Sequence, residues 1–230
     1  MASRLLEIPL FPLHVVLFPG MALPLHVFEA RYRRMTSDCL DSNLPLGVTL
    51  AMPGSEHGRE IPAHVGAFAR IIDYERLADG RYNLLTIGTQ RFRIVEVRRG
   101  GHLYLTGCVE PLEDEPDGDA REQQRLAAAA HETLDEYLHT VLKLLESEEH
   151  SITLPDDATE LSFLIASCLS CEDQQKQRLL ELTSVSARLA AGIRGLREEI
   201  AALERQGEGN GGSNSDDHQP PFDVDRTRLN

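Results

Sequence analysis

Four prolines, Pro9, Pro12, Pro19 and Pro24, fall within the largely apolar residues 5–27, and they limit what this part of the chain can form. Proline lacks a backbone N–H and fixes its own φ, so one continuous helix cannot hold all four. A membrane span needs about 20 apolar residues in unbroken helix, which excludes that use of the segment. Glu7, His14 and His26 interrupt it further. Arg4 precedes it, but no clean apolar h-region and no small-x-small cleavage site follow, so it does not read as a secretory signal. It reads as extended structure that belongs to the fold.

Strand signals continue through the first half. The β-rich runs are residues 5–17, 21–28, 45–51, 65–74, 81–97 and 102–109, separated by Pro19-Gly20, Pro53-Gly54 and Asp79-Gly80. Asp79-Gly80 joins two of these runs and marks a hairpin. In residues 90–98, Phe92 and Ile94 share one face and Arg91 and Arg93 the other, which predicts a half-buried strand. One helix interrupts the strands at residues 29–40, with Tyr32, Met35 and Cys39 as its apolar stripe.

Residues 113–119 read EDEPDGD, which neither packs nor continues a strand and predicts a protease-sensitive linker. Beyond it the period becomes helical. Leu126, Ala130, Leu134, Tyr137, Leu138, Val141, Leu142 and Leu145 form an amphipathic stripe. Asp156 and Asp157 suit the start of a second helix holding Leu161, Leu164, Ile165, Cys168 and Leu169. Ser170 with Asp173 predicts a capping box for a short third helix, and Ser184 caps a last one. In that last helix Leu189, Ile193, Leu196, Ile200 and Leu203 repeat as a seam, with Gly192 and Gly195 beside it. Glycine there implies close packing against other helices. If the half from Leu196 onward projects, its apolar residues call for a second chain and a homodimer; if it folds back, all five are internal. The fold class expected is α+β: residues 1–112 β-rich, residues 120–205 helical, and residues 206–230 a disordered tail.

Charge and cysteine content narrow the function. The formal net charge is −14, which disfavours a polyanion or an anionic membrane as the main partner. Four cysteines suit a reducing, cytoplasmic setting and not a disulfide scaffold. No G-x-x-x-x-G-K-[ST] and no G-x-S-x-G motif is present. His131-Glu132 is followed by Asp135 where H-E-x-x-H needs its second histidine, so no metal site is expected. Cys168 and Cys171 form C-x-x-C, but Cys168 lies on the apolar stripe and reads as a core residue. Arg31, Arg33 and Arg34, with Arg91, Arg93, Arg98 and Arg99, could make a basic patch; solvated arginines paired with nearby acids are the commoner outcome. Met21, Phe28, Tyr32 and Met35 are the candidate peptide-binding residues, against the plainer reading of core.

Three passages carry a family resemblance. Residues 8–35 read IPLFPLHVVLFPGMALPLHVFEARYRRM, residues 80–94 read GRYNLLTIGTQRFRI, and residues 161–189 read LSFLIASCLSCEDQQKQRLLELTSVSARL. Together they resemble the N-terminal substrate-binding domain of the Lon ATP-dependent proteases, in the form of a small stand-alone bacterial protein. The resemblance covers about residues 5–205. It implies a PUA-like β pseudo-barrel followed by a helical bundle, with Lys176-Gln177 in a turn before the next helix. It also implies a non-catalytic module without cofactor or metal, binding unfolded or hydrophobic polypeptide segments and partnering a protease or chaperone. The ATPase and Ser-Lys peptidase domains of that family are absent from this sequence. The alternative is an RNA-binding PUA-like module using the two arginine clusters.

Overall fold

The computed structural model describes residues 5–56, 60–116, 119–145 and 153–209. The strands are β1 (Leu6–Leu13), β2 (Ala22–Val27), β3 (Leu46–Ala51), β4 (Pro62–Arg76), β5 (Tyr82–Arg98) and β6 (Leu105–Pro111). Helix α1 (Ala30–Ser42) lies between β2 and β3. After β6 come α2 (Ala120–Leu144), α3 (Ala158–Cys168), α4 (Asp173–Glu181) and α5 (Val185–Gly209).

The expected PUA-like pseudo-barrel is corrected by the strand order. The strands form one mixed sheet, β2-β5-β4-β3-β1-β6, with β1 and β3 parallel. Its terminal strands, β2 and β6, do not pair with each other, so the six strands do not close end to end. The sheet curls instead. The 17 residues of β5 serve twice: residues 82–87 pair with β2 and residues 92–98 with β6. The α+β class and the helical second half hold.

The prolines of β1 fit this arrangement. β1 pairs with β6 over residues 6–10 and with β3 over residues 10–13. Pro9 therefore has a ladder neighbour on one side only, and so does Pro12, which is where a missing N–H is tolerated. The Asp79-Gly80 hairpin forms as expected, with Leu77 N–H donating to Arg81 O at 2.9 Å and Gly80 at φ 81°.

Apolar clusters form on both sides of the curled sheet. Tyr32, Met35 and Cys39 of α1 cover one face, against Phe11, Leu84 and Val48. Ile8, Leu10, Phe68, Phe92 and Val109 form another cluster. A third, between strands and helices, joins Phe18, Leu50 and Val65 to Phe163, Ala166 and Leu180. The helical core is built from Leu134, Leu161, Ile165, Leu189 and Leu196.

Several local expectations are settled in the helical half. Asp157 caps α3, accepting from Glu160 N–H at 2.9 Å, and Ser184 caps α5 through Ala187 N–H at 3.0 Å. The Ser170 capping box does not form: α4 begins after Glu172, with no side-chain cap, and Ser170 N–H donates to Glu199 Oε1 at 2.6 Å. Lys176 and Gln177 lie inside α4, not in a turn. Leu189, Ile193, Leu196 and Ile200 are buried within this chain and Leu203 is half-buried, so the last helix folds back and its seam packs internally. Helix α5 runs to Gly209, past the expected start of the tail, and residues 210–230 lie outside the described residues. Among the described residues, no helix is long and apolar enough to cross a membrane.

Gly88, the glycine of the G-x-Q-R-F-R passage, makes a close approach possible. Gly20 N–H donates to Gly88 O and Gly88 N–H to Met21 O, both at 2.9 Å. A Cβ on Gly88 would overlap the Phe18 carbonyl oxygen. Gly88→Ala is expected to lower stability by about 1–3 kcal/mol, read as a lower urea midpoint at unchanged m-value.

Candidate functional site

The acidic stretch 113–119 supplies the centre of the molecule instead of a passive spacer. Glu115 N–H donates to Thr183 O at 2.9 Å, pinning it to the segment before α5. Asp114 points inward between two arginines. Arg188 of α5 donates from Nη1 to Asp114 Oδ1 at 3.0 Å and from Nη2 to Oδ2 at 2.8 Å. Arg91 of β5 donates from Nη2 to the same Oδ1. Both arginines also donate to Leu182 O at 2.7 Å, and Arg188 Nε to Ser162 Oγ at 2.7 Å. The Phe163 ring lies beneath them, 3.9 Å from the Arg188 guanidinium carbon and 5.2 Å from that of Arg91. Arg188 is 0% exposed and Arg91 3%. Burial lowers the Arg91 pKa, Asp114 opposes that shift and Arg188 adds to it. Gln177 adds a second tie between the halves, donating to Val65 O at 3.0 Å.

A groove of about 810 Å³ opens beside this cluster. The Pro19–Met21 turn forms one wall, and Thr89 and Gln90 of β5 continue it. Leu112, Glu113 and Asp114 supply the linker side, and Asp157, Glu160, Phe163 and Leu164 of α3 close it. Its volume lies in the range of ligand sites. A second hollow of about 330 Å³ is lined by Phe11, His26, Phe28 and Tyr32, with Arg31, Glu29 and Glu60 around it. Its cation is already paired: Arg31 meets Glu29 at 2.9 Å and Glu60 at 2.5 Å.

The four residues singled out from the sequence do not share a site. Met21 lines the larger groove, whereas Phe28 and Tyr32 line the smaller hollow. Phe28 is 62% exposed; Tyr32 is buried against Phe11, with ring centroids 4.3 Å apart. Met35 is wholly buried in the α1 core and cannot touch a ligand. Asp114, Phe163 and Arg188 were not among the candidates, and Arg91 was considered only as part of a basic patch. The signal for Arg188 was its place between Val185 and Leu189, a charge on an apolar stripe that demands a buried carboxylate.

The arginines of the two clusters are taken up by partners, which leaves the RNA-binding alternative without support. Arg91 is buried. Arg34 pairs with Asp38 at 3.0 Å, Arg93 with Glu110 at 3.5 Å, and Arg98 with Glu7 at 2.9 Å and Glu96 at 3.1 Å. Arg33 donates to Asp79 O and Arg99 to Glu60 O.

All four cysteines are free thiols. Burial raises the Cys168 and Cys171 pKa values and lifts Cys39 to about 12. Raised values mean less thiolate at neutral pH, the opposite of a reactive redox pair. Among the described residues, no group of three or more His, Cys, Asp or Glu side chains could hold a metal.

Two outcomes follow from this geometry. Asp114→Ala leaves two buried guanidinium groups without their anion and is expected to cost about 3–5 kcal/mol, measured by urea unfolding. Iodoacetamide at pH 8 is expected to modify Cys168 and Cys171 more slowly than free cysteine, and Cys39 slowest of the three. Mass spectrometry of a time course reads this; a fast reaction at Cys171 would contradict the burial effect.

Comparison with known proteins agrees with this architecture. Residues 7–198 match the family model for the substrate-binding domain of ATP-dependent protease La (LON). Lon protease of Escherichia coli K12 is 29% identical over 205 residues, covering 88% of this chain and 26% of that protein. The chain thus spans about a quarter of the length of such relatives. The crystal structure of a Lon N-terminal domain protein from Xanthomonas campestris is 31% identical, with a TM-score of 0.59 over 81% of this chain and 96% of that one. The N-terminal domain of Mycobacterium avium complex Lon protease shares the fold, with a TM-score of 0.62 at 18% identity. Residues 7–198 correspond to the non-catalytic substrate-binding part of the relatives, and the chain belongs to the Lon substrate-binding domain family.

Proposed function

We propose that the groove between strands and helices holds an extended apolar segment of a non-native polypeptide. The chain then acts as a binding module or adaptor that presents the segment to a protease or chaperone. One observation carries this reading: the groove is open to solvent, has a volume of about 810 Å³, and has Met21, Leu112 and Leu164 along it. Such a surface accepts side chains of varied shape, since methionine and leucine repack at little cost. In this reading residues 1–112 and 120–205 act as two subdomains whose seam is the site. Met21 is then the contact residue among the four sequence candidates, and Phe28 with Tyr32 forms an accessory contact. Free cysteines throughout support a reducing cytoplasm as the place of work.

The test is fluorescence anisotropy with an apolar decapeptide carrying a neutral dye. Met21→Gln and Leu164→Gln, at half-buried positions, are expected to weaken binding about tenfold each while circular dichroism stays native. Full affinity in both variants would move the site elsewhere.

A further inference from the structure

We infer that the groove selects polypeptide segments whose apolar residues are flanked by lysine or arginine. The inference rests on reading the groove as a polypeptide site, and it comes from the rim. Glu113 stands on the linker side, and Asp157 and Glu160 stand at the start of α3. All three are exposed, and none has a salt bridge among the described residues. Asp114, the fourth carboxylate at the groove, is taken up by Arg91 and Arg188.

The opposing charges do not cancel this excess. Arg91 reaches the groove, but it is 3% exposed and donates to Asp114, Leu180 O and Leu182 O. The N-terminus of α3 contributes a partial positive charge of roughly one half, against three whole negative ones. A segment lying along Met21, Leu112 and Leu164 can extend long basic side chains to this rim while keeping their stems on apolar surface. The same rim repels a polyanion. It also repels a second copy of this chain, whose formal net charge is −14.

The experiment uses the full chain and three decapeptides with one apolar centre, flanked by lysine, serine or glutamate and labelled with a neutral dye. The lysine-flanked peptide is expected to bind about tenfold more tightly than the glutamate-flanked one at low ionic strength, with the gap closing as salt rises. The triple variant Glu113→Gln, Asp157→Asn, Glu160→Gln is expected to close the gap between the lysine- and glutamate-flanked peptides without salt. Asparagine at position 157 preserves the helix cap, so the fold is retained. Equal binding of all three peptides overturns the charge selection and leaves the groove reading standing. A gap that persists in the triple variant overturns it too, since selection then lies elsewhere. Binding of none overturns both readings. A dimer in light scattering that Leu164→Asp disperses identifies a second copy as the occupant and overturns the inference.

Discussion

A single carboxylate shared by two buried guanidinium groups holds the strand half against the helix half. Removing three ions from water costs about as much as their mutual attraction returns, so the cluster adds little net stability over an apolar substitute. What it adds is geometry. Arg91 sits on β5, Arg188 on α5 and Asp114 on the segment leaving β6. Both forks also need Leu182 O, and both cations face the Phe163 ring. A slipped docking of helices on strands would strand at least one charge in an apolar interior.

The groove follows from that docking. Phe163 is held from one side by the cations and packs on the other against Phe18, with centroids 6.4 Å apart. This fixes the start of α3 relative to the Pro19–Met21 turn, which is itself held by Gly88. The gap left between that turn, β5, the segment after β6 and α3 is the groove.

Much of the fold was legible because it depends on local rules. Prolines, the Asp-Gly turn, the alternation of Phe92 and Ile94 in β5 and the change to helical period each act within a few residues. The Asp157 and Ser184 caps are of the same kind. Closure of the sheet was not legible, because β2 and β6 are joined or separated by distant pairings and not by their own sequences. Arg91 was misjudged for a related reason. Alternation does put it on the same face as Arg93, but at Arg91 the helical half covers that face and Asp114, Leu180 O and Leu182 O receive the guanidinium. The acidic linker misled through composition: five acids suggest solvent, whereas one of them was balanced by arginines 23 residues before and 74 after it.

The glycines of α5 separate stability from recognition. Cβ atoms on Gly192 and Gly195 would come within 2.6 Å of Ile165 and 2.8 Å of Leu169, so α3 lies directly on the α5 backbone. That contact, with the Arg188 anchor, fixes the inner face of α3 through Ile165, Leu169 and Ser162. Glu160 sits on the outer face, beside the capping Asp157 and lining the groove with Glu113, without a part in the ionic cluster, whereas Leu164 is half-buried and packs against the helical core. Changes on that outer face alter what the groove meets while leaving the docking of helices on strands intact. The groove shares Asp114 and Phe163 with the rigid clamp, but Glu113 and Glu160 on its rim stand outside it, so the rim can change at little cost to the fold.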